Sequence, residues 1–201
     1  LCKKDNSGIW GEDQDNYFKK YMPVKVATTK NISSQGSFDI ENMETRYIFE
    51  EEFPKYICKK GDIVIVKSSG SADNVVSGKC GYIEDDNLFA FGNFLMRIQS
   101  DKNIVNPKFL FYFLSSNITK QRVLRMVSST TYPNLKINEY MSSKIPLPPL
   151  DEQEYIVDLL DKKIEYYNNL TSFYQKKIEL LIEQKRSLVG SLVTGKTRLV
   201  F

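Results

Sequence analysis

Residues Gly190-Ser191-Leu192-Val193-Thr194-Gly195-Lys196-Thr197 fit the phosphate-loop pattern G-x-x-x-x-G-K-[ST] letter for letter. That pattern holds a nucleotide when it follows a strand and opens a helix, whose first amides point at the phosphate. Here it closes a long helical stretch and lies four residues from Phe201, so no nucleotide site is expected. The 201 residues contain no histidine. This excludes Ser-His-Asp and Cys-His catalysis and every zinc site built on histidine. Glu50-Glu51-Glu52 and Asp85-Asp86 are runs of neighbours, which read as solvated turns. No metal, no cofactor and no catalytic residue are expected.

Asn106-Pro107-Lys108-Phe109 approaches the Asn-Pro-Pro-Phe/Tyr motif of amino-methyltransferases but lacks the second proline. No glycine-rich strand-turn-helix precedes it. Asn106 as a helix N-cap with Pro107 as the first helical residue explains the segment better. Charge is more informative. The net charge is only +3. Yet Lys102, Lys108, Lys120, Arg122, Arg125, Lys136 and Lys144 face a single acid, Glu139, over one stretch of chain. A basic stripe suits a polyanion. Cations meet phosphates, whereas short polar side chains on adaptable backbone meet base edges. Lys120, Arg122 and Arg125, near the end of one helix, are therefore expected phosphate contacts, the competing reading being an ordinary solvated helix face, and Lys67 is expected to join them. Ser69, Thr130, Thr131, Tyr132 and Asn134 are the expected groove-facing residues.

The elements that must position these residues read as mixed α and β. Tyr21 to Thr29 alternates loosely and suggests a strand. Gly36 to Asp39 suggests a turn, and Met43 to Phe53 a short polar segment rich in glutamate. Gly61-Asp62-Ile63-Val64-Ile65-Val66-Lys67 predicts a strand, a β-branched run after a Gly-Asp turn. Ser68 to Ser71 reads as a flexible loop. Gly78 to Ile83, Leu88 to Ile98 and Lys144 to Leu147 read as further strands. Asn106-Pro107 opens a helix with Phe109, Leu110, Phe113 and Leu114 inside, and a second helix covers about Asn117 to Val127. Ser128 to Leu135 is a polar loop.

Pro146, Pro148 and Pro149 then hold the chain extended. Asp151 is the expected N-cap of the next helix, with Glu154 completing a capping box. A heptad register runs through Val157, Leu160, Ile164, Tyr167, Thr171, Tyr174, Ile178, Leu181, Lys185, Leu188 and Leu192. Only Thr171 and Lys185 interrupt its apolar seam. This is a coiled-coil pattern, on the order of 60 Å long at 1.5 Å per residue, with Gly195 as its stop. The expected organisation is a globular domain over 1–149 and a spacer or dimerisation helix over 150–201.

The remaining features bound the setting. Hydrophobic residues make up 41 %, ordinary for a globular protein, and no apolar run approaches the ~20 residues that span a bilayer. No signal-peptide pattern opens the chain. Leu1 is not an initiator methionine, so the sequence reads as cut from something longer. Cys2, Cys58 and Cys80 form no C-x-x-C, which fits a reducing cytoplasm. Three N-x-S/T triplets begin at Asn31, Asn117 and Asn169 and are taken as chance matches.

Six segments, in order, resemble the specificity subunit of type I restriction–modification systems over nearly all the chain. Gly61-Asp62-Ile63-Val64-Ile65-Val66-Lys67-Ser68 is similar to that family's G-D-I-L strand. Asn93 to Ile98 is similar to its N-x-x-x-R-I strand. Asn106 to Leu110 is similar to its P-x-F-L helix start, and Thr130 to Leu135 to its T-x-x-P-N-L loop. Ile145 to Gln153 matches I-P-L-P-P-L-x-E-Q, and Val193 to Lys196 matches the close of its conserved helix. The N-terminal stretch departs from the family pattern, as does Ser68-Ser69-Gly70, where many members carry more glycine. The resemblance implies an α+β target recognition domain followed by a long coiled-coil helix, a non-catalytic reader of one half of a split DNA site. Its implied partners are double-stranded DNA, methyltransferase subunits, and a nuclease/translocase subunit through the complex. A second copy, or the other half of the same subunit, would pair through the antiparallel coiled coil at Val157, Leu160, Ile164, Tyr167, Tyr174, Ile178, Leu181 and Leu188. The competing expectation is a recognition fragment of a fused restriction–methylation enzyme.

Overall fold

Ile63-Val64-Ile65-Val66 are all fully buried, and that burial on both faces explains why the run does not alternate. They form β4 (Ile63–Val66) in the middle of a four-stranded antiparallel sheet, order β1-β9-β4-β7, with β1 (Cys2–Asp5), β7 (Cys80–Tyr82) and β9 (Leu95–Ser100). Register sets Ile63 opposite Ile98 and Val66 opposite Leu95. The computed structural model describes residues 2–5, 7–13, 20–68, 70–71, 74–86, 89–127 and 133–196.

A second sheet joins β2 (Tyr21–Ala27), antiparallel to β3 (Glu44–Phe49) and parallel to β8 (Phe89–Phe91). Val64, Val66 and Leu95 from the first sheet pack with Ala27, Phe89 and Phe91 from the second. The far face of the second sheet carries Val24, Val26, Ile48 and Ala90, covered by Ile57, Trp10 and Phe53. Helix α1 (Phe53–Tyr56) and a two-stranded ribbon, β5 (Gly70–Ser71) with β6 (Asn74–Val75), complete this part.

Helices α2 (Pro107–Ser115), α3 (Asn117–Met126) and α4 (Ile137–Met141) lie on the side of the first sheet marked by Ile98. Asn106 caps α2 as expected: its side-chain oxygen accepts from the amides of Lys108 at 2.9 Å and Phe109 at 3.2 Å. Phe111, rather than Phe113, joins Phe109, Leu110 and Leu114 in the buried set.

Several expectations are corrected. Met43–Phe53 is not a merely polar segment but contains β3, whose inward position is filled by Arg46. This guanidinium donates to the carbonyls of Trp10 and Gly11, both at 3.2 Å, and stacks 4.6 Å from the Trp10 ring. A charged residue on the buried face hides the alternation. Residues 144–147 form no strand, and Ser68–Ser71 includes paired backbone rather than free loop. Strand β1 and helix α4 had no expectation at all.

By contacts the chain divides into two units, Leu1–Tyr155 and Ile156–Phe201, and the division falls inside α5 (Leu150–Val193). This helix has 44 residues. It starts at Leu150, so Asp151 sits within its first turn instead of capping it from outside. The acid still opposes the positive end of the helix dipole. The helix runs through Gly190 and ends at Val193, with Gly195 in the left-handed region at φ +70°, the usual place for a glycine stop.

Candidate nucleic-acid interface

Three chain segments meet beyond the end of β4. The amide of Lys67 donates to the carbonyl of Phe94 at 2.8 Å, and the amide of Leu135 donates to the carbonyl of Lys67 at 2.8 Å. Ser68 and Asn134 form an antiparallel bridge. Pro133 and Leu135 are buried, and Ser77 Oγ donates to the Pro133 carbonyl at 2.6 Å. Asn134, between them, is exposed. Local structure thus aims the asparagine outward by burying both its neighbours. Lys67 is half-buried, and desolvation pulls its ammonium pKa below the usual lysine value. Ser69, Thr130, Thr131 and Tyr132, the other expected groove residues, lie outside the described residues.

The basic stripe on α3 does not stay together. Ser116 caps this helix by accepting from Thr119, and Val123 seats against the Gly78 turn. Lys120 is exposed and borders a groove of about 480 Å³ shared with Lys79, Ser77, Ser115, Val123 and Leu124. Arg122 faces a different cavity, of about 280 Å³, beside Phe113, Tyr140 and Ile145. There it donates to the Lys144 carbonyl at 3.0 Å and lies 5.9 Å from the Phe113 ring, which ties α3 to the proline segment. Arg125 is exposed. Lys79 was not among the expected residues. Its Nζ donates to the Ile32 carbonyl, and burial lowers its pKa. A lone lysine after a Gly-containing turn carries no sequence signal that it shares a groove with Lys120.

The start of α5 is held by a residue whose role sequence alone did not show. Gln153 is fully buried. Its Oε1 accepts from the Asn106 amide at 2.8 Å, and its Nε2 donates to the carbonyls of Ile104 at 3.2 Å and Pro148 at 2.8 Å. Further along α5, Val157 is buried and Leu160 half-buried, whereas Ile164, Tyr167, Tyr174, Ile178, Leu181 and Leu188 are exposed. Leu159, Tyr166, Phe173 and Leu180, seven apart, make a second exposed apolar line beside the heptad seam.

Among the described residues no cluster of three or more metal-ligating side chains occurs, and no helix is long and apolar enough to cross a membrane. Residues 2–181 match the family model for the type I restriction modification DNA specificity domain. The chain belongs to that family.

Among its relatives is the specificity subunit of the type I restriction enzyme EcoKI from Escherichia coli K12. That protein is 27 % identical over 192 residues, covering 92 % of this chain and 39 % of the relative. The MjaVIII specificity subunit of Methanocaldococcus jannaschii is 27 % identical over 154 residues, covering 73 % of this chain and 33 % of the relative. The chain therefore spans well under half the length of either. The fold is shared with a chain solved in a study of assembly and conformational transition of the type I R-M system. There the TM-score is 0.57 at 20 % identity, over 94 % of this chain and 49 % of that one. It is shared also with the HsdS subunit of Thermoanaerobacter tengcongensis, with TM-score 0.53 at 18 % identity over 91 % and 48 %.

Within this type I specificity domain three motif residues, Asp62, Arg97 and Gln153, prove to be framework. Asp62 of the G-D-I segment and Arg97 of the R-I segment are both buried and pair at 3.6 Å. Arg97 also donates to the carbonyls of Ile57 at 2.6 Å and Lys55 at 2.9 Å, and Asp62 accepts from the Lys59 amide and from Gln99. A buried pair survives only when its remaining donors and acceptors are satisfied, and here they are. Gln153 of I-P-L-P-P-L-x-E-Q is the third such device. These three residues hold the strand ends and the first turn of α5 in place.

Proposed function

We propose that this chain reads one half of a bipartite DNA site for a type I restriction–modification complex, in the cytoplasm, and that it catalyses no reaction itself. Residues 1–149 form the target recognition domain and 150–201 the spacer helix. The observation that carries this reading is the joined edge of Lys67, Ser68 and Asn134. It offers a cation, a hydroxyl and an amide side by side on backbone that hydrogen bonds have already fixed. Lys67, Lys120 and Arg125 contact phosphates, with Ser69, Thr130, Thr131, Tyr132 and Asn134 near the bases. Arg122 serves the framework first.

The heptad seam pairs with a second copy of the helix or with the other half of a longer subunit, antiparallel, so that two readers address one duplex. The second apolar line of Leu159, Tyr166, Phe173 and Leu180 stays free in such a pair and docks the methyltransferase subunits, through which the nuclease/translocase subunit joins.

Salt-titrated binding to duplex DNA tests the reading. Purified chain should bind with a steep salt dependence, and Lys67→Ala or Lys120→Ala should each lower the slope of log K against log salt by about one. With labelled methyl donor the same mixture should incorporate nothing. Absence of DNA binding, or methyl transfer by the pure chain, would refute it.

A further inference from the structure

The turn between β8 and β9 exposes an aromatic ring that the core does not use. Phe94 is 66 % exposed, more than any other large apolar side chain before α5 among the described residues. Its backbone, in contrast, is clamped. The Leu95 amide donates to the Gly92 carbonyl at 2.9 Å, closing the turn, and the Gly92 amide donates to the Ala27 carbonyl at 2.9 Å. The Phe94 carbonyl accepts from Lys67, and the Asn93 carbonyl accepts from Ser7 Oγ at 3.4 Å. Gly8 passes so close that a Cβ there would lie 1.8 Å from the Phe91 carbonyl oxygen. A turn fixed from three sides holds the root of its exposed ring in one place.

We infer that Phe94 is a specificity-determining contact that packs against DNA bases in the groove next to the phosphate held by Lys67. The residues around it select this occupant. The Phe94 backbone bonds directly to Lys67, whose neighbour Ser68 bridges to Asn134, and Asn93 precedes it, so a cation, a hydroxyl and two amides belong to the same patch of backbone as the ring. A protein partner covering an exposed phenyl would bring apolar surface, and these flanking groups would then lose water without gain. A nucleic acid brings both halves of the match: phosphate for the ammonium and polar base edges for the amides, with a base face, base step or thymine methyl for the ring. The ring makes its contact without charge, so it adds to affinity and leaves counterion release unaltered.

This inference rests on the DNA-reading function proposed above, and the test separates the two. The wild-type chain first selects duplexes from a randomised pool. Wild type, Phe94→Ala and Phe94→Tyr are then titrated with a selected duplex and with a random one across a salt series. The expected result is a loss of about tenfold or more for Phe94→Ala on the selected duplex, with an unchanged salt slope and little change on random DNA. Loss of one specific contact at a base pair has that size. Phe94→Tyr should retain most of the affinity, and all three proteins should share one unfolding midpoint, since the side chain is exposed. Equal binding by Phe94→Ala, or equal loss on both duplexes, would overturn the role of Phe94 while leaving the DNA-reading function intact. A wild-type chain that selects nothing would overturn both.

Discussion

Gln153 shows how a single residue anchors the first turn of α5 within the first unit. From a fully buried position it satisfies one amide and two carbonyls at once. Gln153→Ala would leave those groups unpaired, at a cost of about 1–3 kcal/mol. The drop should appear as a lower denaturant midpoint with DNA contacts untouched. Arg97→Met should cost more, roughly 3–5 kcal/mol, because it strands Asp62 in the core. Urea unfolding followed by circular dichroism measures both. These residues also explain what the sequence could disclose. Gly61-Asp62 and Arg97 stand out as motif positions, but nothing in their spacing says that they face each other. Lys120, Arg122 and Arg125 read as one patch, because helical neighbours three and five apart look alike on paper. The fold then turns Arg122 onto the Lys144 carbonyl and Lys120 toward Lys79.

At the scale of elements, legibility follows local signal. Strand β4 and the caps of α2 were plain, since a β-branched run and an Asn-Pro pair dictate their own conformations. The heptad helix was plain for the same reason. Strand β3 was hidden by Arg46, strand β1 by its lysines, and α4 by its length of only five residues. The loop expected to face the groove stood out only by its polar composition, and Thr130, Thr131 and Tyr132 lie outside the described residues. Two separable outcomes are expected for α5. Leu160→Asp with Leu181→Asp should place charge in the seam and dissociate the pair, read as a halved mass by light scattering. Tyr166→Asp with Phe173→Asp should leave the mass unchanged and abolish co-purification with the methyltransferase subunits. If one double variant abolished both associations, the helix would have a single interface instead of two.

At the scale of the whole molecule, two identical readers related by a two-fold axis would require an inverted-repeat target, and the proposed pairing of helices would set the gap between its halves. Inserting one heptad after Asn169 keeps the seam in phase and lengthens the helix by about 10 Å. The preferred gap should grow by about three base pairs at ~3.4 Å each. The most direct measurement is therefore selection from a randomised duplex pool by the wild-type chain and by the heptad-insertion variant, followed by sequencing. The account predicts the same half-site from both proteins, repeated in inverted orientation, with one fixed gap for each and the longer gap for the insertion. A pool without an enriched half-site, or a gap indifferent to helix length, would contradict it.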